Sequence, residues 1–208
     1  MILVIIYFSS LVVPIAGGSG GTHRNILLDG LVRWDGGIYL SIAAGGYPLA
    51  SHGGVAPATA FFPAYPLLVR AVEFVVHNDH LAGVLVSNVA FLVALAYLYA
   101  LARRESDRDT AARAVFYLAA APAAVFFSAA YTESLFVACV AATFYHAGKG
   151  QWAPAALAAI LASATRNTGF VLAAVIALEA LHQAGVRFWP RSSRRGAASE
   201  RPIGPRGP

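Results

Sequence analysis

Ionisable residues are scarce in this chain, so those that interrupt its apolar stretches are the first candidates for chemistry. Arg33, Trp34 and Asp35 stand side by side and are followed by Gly36 and Gly37. Read alone, Trp34 and Asp35 form an interfacial aromatic anchor beside a solvated carboxylate, or a carboxylate placed to take a proton. The two glycines remove side chains next to it and let a substrate approach the backbone. Glu133 breaks another apolar stretch, where an ionisable group marks a site or pairs with one. Arg166 is the one Lys or Arg between Lys149 and Arg187. Its guanidinium can grip phosphate oxygens through a fork of donors, or pair structurally with Glu133. Arg70 competes for an anion, with Glu73 three residues on as its expected structural partner. His77, Asp79 and His80 could ligate a divalent ion. No third histidine or second acidic cluster is near them, and a polar turn is the expected reading. No Gly-rich phosphate loop, nucleophile elbow or Cys/His zinc spacing occurs.

The rest of the chain is what must position these groups. Of 208 residues, 58% are hydrophobic and 12% charged, with a mean hydropathy of +0.63. A soluble domain carries about a quarter of its residues as charge, so this composition specifies an all-α integral membrane protein in which lipid replaces water over most of the surface. The lone Cys139 excludes an internal disulfide and is expected to be apolar filler. The net charge of +5 does not point to nucleic acid. Its arginines cluster at Arg103, Arg104, Arg108 and Arg113, and again from Arg187 to Arg206, flanking apolar runs as the positive-inside rule requires.

Residues 81–102 are uncharged and long enough to cross the bilayer. Residues 2–16 form a first span without a signal peptide's basic start. Residues 114–132, 134–146, 153–165 and 169–181 follow, short and alanine-rich, as suits tightly packed helices. Residues 58–76 hold Pro63, Pro66, Arg70 and Glu73, and a charge near mid-membrane costs several kcal/mol, so this segment is expected to lie flat or re-enter. About six spans result, with both termini inside and both basic clusters and Lys149 cytoplasmic. Trp34–Asp35, Phe61–Phe62–Pro63, Tyr131–Thr132–Glu133 and the stretch 166–169 then all fall on the external face.

Within the first external loop, Leu27, Leu31, Trp34, Ile38 and Ile42 recur at spacings of three and four, which predicts one interfacial helix over 26–44. Asp29 and Arg33 form an acid-before-base pair along it, Asp35 sits at the edge of its apolar stripe, and Gly45–Gly46 can end it.

Four stretches, "RWDGGIYLSIAAGGY", "FFPAYPLLVR", "APAAVFFSAAYTESLF" and "ATRNTGFVL", occur in the order and spacing of the PIG-V-type mannosyltransferases, and residues 1–185 resemble that family. The resemblance implies a GT-C-like polytopic helical bundle that takes mannose from a polyprenyl- or dolichyl-phosphate carrier. Transfer to a lipid-linked or protein acceptor would occur on the non-cytoplasmic face. The family's essential Trp-Asp pair falls on Trp34 and Asp35, which makes Asp35 the expected general base. Glu133 is then expected to position acceptor hydroxyls, act with Asp35 or pair with Arg166. Arg166, or Arg70, is expected to hold the donor phosphate, and Tyr131 and Tyr65 to stack on or hydrogen-bond to sugar. Phe61–Phe62–Pro63 is expected to shape the re-entrant turn. No cofactor is required by this reading, and a divalent metal stays open.

Members of that family continue with further helices, whereas here residues 187–208 are a basic Pro/Gly/Ser-rich tail that cannot bury a core. The expected organisation is therefore a partial GT-C-like region, 1–186, followed by a disordered tail. An inactive fragment is one rival. A transporter half or assembly subunit is another, although transporters carry ionisable groups near the bilayer midplane. The Ala/Arg/Gly/Pro-heavy usage points to a high-GC prokaryote, hence a multi-pass protein of the cell membrane, or of the endoplasmic reticulum in a eukaryote.

Overall fold

A computed structural model of the chain describes residues 26–47 and 60–186, and all regular structure among them is helical. The expected crossing at 2–16 and the basic tail at 187–208 lie outside the described residues. In chain order the α-helices are α1 (Ile26–Leu31), α2 (Asp35–Gly45), α3 (Ala64–Val76), α4 (Asp79–Glu105), α5 (Arg108–Ala120), α6 (Val125–Ser128), α7 (Glu133–Ala147), α8 (Trp152–Ser163) and α9 (Val171–Gln183). Single 3₁₀ turns at Pro122–Ala124 and Asn167–Phe170 precede α6 and α9.

Helix α4 is the axis. Asn78 caps it by accepting from the Leu81 amide at 2.8 Å, and Asp79 at its start and Arg103 and Arg104 in its last turn complement the helix dipole. Its 27 residues extend about 40 Å at 1.5 Å per residue, more than the ~30 Å of bilayer hydrocarbon. Only 28% of its apolar window is buried, so it is not the core helix of a soluble protein. Its buried stripe is Ala82, Gly83, Val86, Ser87, Ala90 and Ala94, small residues that let neighbouring backbones come close. Leu85, Val89, Leu92 and Val93 face outward.

The spans expected after α4 are helical, but their lengths differ from the expectation. Residues 114–132 are not one helix: α5 and the Pro122–Ser128 segment meet at 68°, because Pro122 has no amide to continue the ladder. Helices α7, α8 and α9, of 15, 12 and 13 residues, reach only about 18–22 Å. Among the described residues one helix is long and apolar enough to cross a membrane, or two if the bent pair counts as a broken span. Helix α3 begins only at Ala64, runs 13 residues and stops at His77, whose left-handed φ of 56° ends it.

Helix α4 packs most extensively on α7, and α7 on α8. The contact faces are alanine and serine: Ser134, Ala138, Ala141 and Ala142 on α7, and Ala155, Ala158, Ala159 and Ala162 on α8. At one end Arg104 donates to the carbonyls of Tyr145 (3.2 Å) and Gly148 (2.9 Å), and Gln183 donates to the Ala147 carbonyl at 2.9 Å. The C-termini of α4, α7 and α9 are thus tied together beside the arginine cluster. At the opposite end the chain turns from α8 to α9 through Gly169, where an added Cβ would collide with the backbone of Ala162 and Ser163. Backbone cannot rotate away as a side chain can. Gly169→Ala is expected to destabilise the protein by ~1–3 kcal/mol, read as a lowered thermal midpoint in detergent.

Candidate active site

The expected helix over 26–44 is broken in two. Helix α1 ends at Leu31 and α2 starts at Asp35, with Trp34 between them at φ 50°, ψ −119°. A bulky residue pays ~1–3 kcal/mol for such a backbone unless its surroundings hold it there. They do. The Ala130 amide donates to the Leu31 carbonyl at 2.8 Å, and the Tyr131 hydroxyl donates to the Arg33 carbonyl at 2.8 Å. The amides of Gly36 and Gly37 turn back onto the carbonyls of Arg33 and Trp34 at 3.0 and 3.1 Å.

The break also redistributes the predicted stripe. Trp34 is 68% exposed while Ile42 is 4% exposed, so these residues do not share one face. Val32, Tyr39, Leu40 and Ala43 instead pack on Tyr65, Val69, Ala82, Val86 and Ala130. Asp35 is exposed at the first position of α2. Its two glycines divide their roles. Gly36 is buried, and a Cβ there would sit 3.1 Å from the Ala130 carbonyl oxygen, so it serves packing. Gly37 faces open space apart from the Val32 carbonyl oxygen, so it alone leaves room for an incoming molecule. Asp29 lies 3.8 Å from His80 Nε2.

Glu133 opens α7, and Arg166 stands in extended backbone just after α8. Their side chains meet, Nη1 to Oε1, at 2.9 Å. The other carboxylate oxygen, Oε2, is buried and has no hydrogen-bond partner among the described residues. A buried acceptor left unpaired is costly, and it is available to a hydroxyl. Arg166 spends one donor on Glu133, and a guanidinium has five.

Two phenols feel both this pair and the Asp35 corner. Tyr39 is one helical turn beyond Asp35; burial raises its pKa, the neighbouring Thr132 and Arg166 oppose this, and the Asp35 and Glu133 carboxylates add to the rise. The Tyr131 phenol is pushed up to about 12 by burial, again with help from both carboxylates, so it remains a donor at physiological pH. Asp35 and Glu133, from distant segments, therefore both act on the two phenols, and Arg166 acts on Tyr39. Neither Tyr39 nor Thr132 stood out in the sequence, although Tyr39 follows Asp35 by four residues and Thr132 adjoins Glu133, which were the available signals.

Other expected residues lie elsewhere. Tyr65 is fully buried, with its hydroxyl 3.0 Å from the Gly83 carbonyl oxygen and 2.7 Å from Ser87 Oγ, so it has no free surface for sugar. Arg70 lines an open groove of about 480 Å³ with Ala43, Ala44, Glu73, Phe74 and His77. That groove meets α2 eight residues past Asp35, about 12 Å along the helix. Among the described residues Arg70 and Glu73 form no ion pair. The His77–His80 stretch is a turn and cap: His77 Nδ1 contacts the Val75 carbonyl, and His80 Nδ1 contacts Asp79. Among the described residues no group of three or more His, Cys, Asp or Glu is placed to hold a metal ion.

The Glu133 and Arg166 side chains are 31% and 42% exposed, so solvent screens their attraction. Glu133→Gln and Arg166→Gln are each expected to change folding stability by less than about 1 kcal/mol, measured by thermal unfolding. A larger loss would mark the pair as a structural strut.

A family model described as mannosyltransferase (PIG-V) matches residues 21–189, a range that takes in the corner, the ion pair and every described helix. Neither a curated protein nor a solved structure matches the chain. The chain belongs to the PIG-V mannosyltransferase family, membrane proteins that are glycosyltransferases.

Proposed function

We propose that this mannosyltransferase moves mannose from a polyprenyl-phosphate carrier to a lipid-linked or protein acceptor at the non-cytoplasmic surface of a multi-pass membrane domain. Asp35 takes the proton of the acceptor hydroxyl. The acceptor oxygen attacks the anomeric carbon, the bond from that carbon to the phosphate oxygen breaks with inversion at the carbon, and the polyprenyl phosphate leaves with the electron pair. Arg166, oriented by Glu133 Oε1, meets the phosphate charge. Glu133 Oε2 accepts from a sugar or acceptor hydroxyl. Trp34, exposed beside Asp35, offers an apolar surface to the lipid or the sugar ring. Arg70 serves at the separate groove rather than at the reacting atoms.

The single observation behind this reading is the placement of Asp35, Glu133 and Arg166 toward one end of the helices, away from the Arg103–Arg113 cluster. Two contacts along α4 gauge the separation. Ser87 Oγ donates to the Tyr131 carbonyl, and Arg104 holds the other end of α7. These residues are 17 apart in one helix, so the two levels differ by about 26 Å, close to the ~30 Å thickness of bilayer hydrocarbon. With the Arg103–Arg113 cluster and Lys149 cytoplasmic by the positive-inside rule, the carboxylates come to the opposite oil–water boundary. There a carrier lipid and a hydrated acceptor can both reach them. The six crossings follow if α5–α6 is a broken span and α7, α8 and α9, shorter than the hydrocarbon, are sheltered by their neighbours.

Asp35→Asn is expected to lower transfer by about 10²–10⁴ while the protein still accumulates in the membrane, measured with radiolabelled polyprenyl-phosphate mannose. Normal turnover by that variant would remove Asp35 from the mechanism. For the topology, an impermeant thiol reagent on intact cells should label Asp35→Cys, Glu133→Cys and Arg166→Cys, but not Lys149→Cys, in a Cys139→Ala background. Labelling of position 149 alone would invert the orientation.

A further inference from the structure

Tyr131 has a role that neither sugar stacking nor the family assignment supplies. Its hydroxyl donates to the Arg33 carbonyl, and Arg33 immediately precedes Trp34, whose φ is positive, and then Asp35. The tyrosine is itself fixed at both ends. Its carbonyl accepts from Ser87 Oγ at 3.2 Å, and Ser87 is fully buried and bonded to Tyr65. The preceding residue, Ala130, holds the Leu31 carbonyl through its amide. A chain of hydrogen bonds therefore runs from α3 through α4 and the Tyr131 segment to the corner that carries Asp35.

We infer that Tyr131 is a positioning residue: its phenol holds the Arg33 carbonyl, keeps the Trp34 backbone in its positive-φ conformation, and so aims the Asp35 carboxylate. This rests on the reading of Asp35 as the base. Without that bond the corner keeps the Ala130–Leu31 hydrogen bond and its own turn bonds but is held less firmly, so Trp34 shifts toward an ordinary negative φ, the start of α2 rotates, and the carboxylate moves away from the acceptor proton. A misplacement of about 1 Å can cost on the order of a hundredfold in rate.

The test uses Tyr131→Phe in the full chain, which removes one oxygen atom and leaves the ring in place. With radiolabelled polyprenyl-phosphate mannose, in membranes that hold the endogenous acceptor and lack the wild-type protein, kcat should fall by about ten- to a hundredfold. KM for the donor should stay within about twofold. Hydrogen–deuterium exchange of the substrate-free protein should rise at the Gly36 and Gly37 amides and remain unchanged in α4 and α7. A phenol that only touched substrate would leave that exchange as it was, and this outcome overturns the proposal. So does a raised KM with unchanged kcat. If Tyr131→Phe does not accumulate, Ser87→Ala, which frees the Tyr131 carbonyl and keeps the phenol, should shift exchange and kcat in the same direction, and no shift overturns the proposal. Asp35→Asn in the same assay separates the two readings. If it keeps turnover, the assignment of the base fails. If it abolishes turnover while Tyr131→Phe is fully active, the positioning role fails alone.

Discussion

The segment from Ala129 to Tyr131, a short non-helical link between α6 and α7, is the piece on which the site depends. Ala130 is fully buried, and its amide and carbonyl both face the corner between α1 and α2, the first through a hydrogen bond to Leu31 and the second through close packing on Gly36. Backbone groups buried in a low-dielectric setting must find partners. Here a link that cannot satisfy its polar groups as a helix does so by grasping another break in the chain. Two irregular stretches, each costly alone, stabilise one another. They do so next to Ser128, whose carbonyl accepts from Asn88 on α4, and beside the stacked rings of Phe91 and Phe127, so the long helix anchors both.

This arrangement explains why polar chemistry can exist in so apolar a chain. Charges inside a membrane protein are expensive unless they are paired or reach water. Glu133 and Arg166 do both, being bonded to each other and partly exposed. Asp35 does the second by standing at the start of α2 rather than within it. Burial and the neighbouring carboxylates oppose ionisation of the Tyr39 and Tyr131 phenols, with Thr132 and Arg166 acting the other way on Tyr39. Arg166 spends one donor on Glu133, and Glu133 Oε2 has no hydrogen-bond partner among the described residues.

Much of the fold was legible before the structure. The uncharged run at 81–102 became α4, the apolar pieces after it became helices, and the Gly45–Gly46 pair ended α2, with Gly46 at φ 76°. The positions of ionisable interruptions pointed to Asp35, Glu133 and Arg166, because a charge inside an apolar run has few reasons to be there. Helix lengths were less legible. The apolar runs said where helices could persist but not that Pro122 would turn the chain by 68° or that the Arg166–Gly169 stretch would separate α8 from α9. The single helix over 26–44 was misread for a similar reason: its periodicity is genuine on both sides of Trp34, and nothing local marks the break.

By itself, then, the sequence determined an all-helical, lipid-facing chain, with its basic residues segregated to helix ends and its few ionisable interruptions marked for function. Those properties follow from composition and spacing, which act within a few turns of helix. Only the tertiary structure decided that Glu133 meets Arg166, which oxygen of Glu133 has no partner among the described residues, and that Arg70 lines a separate groove. It also decided the conformation of the Asp35 corner. The donor that holds Arg33 is 98 residues away, and a hydrogen bond over that distance leaves no trace in the local pattern that a helix or a turn imposes.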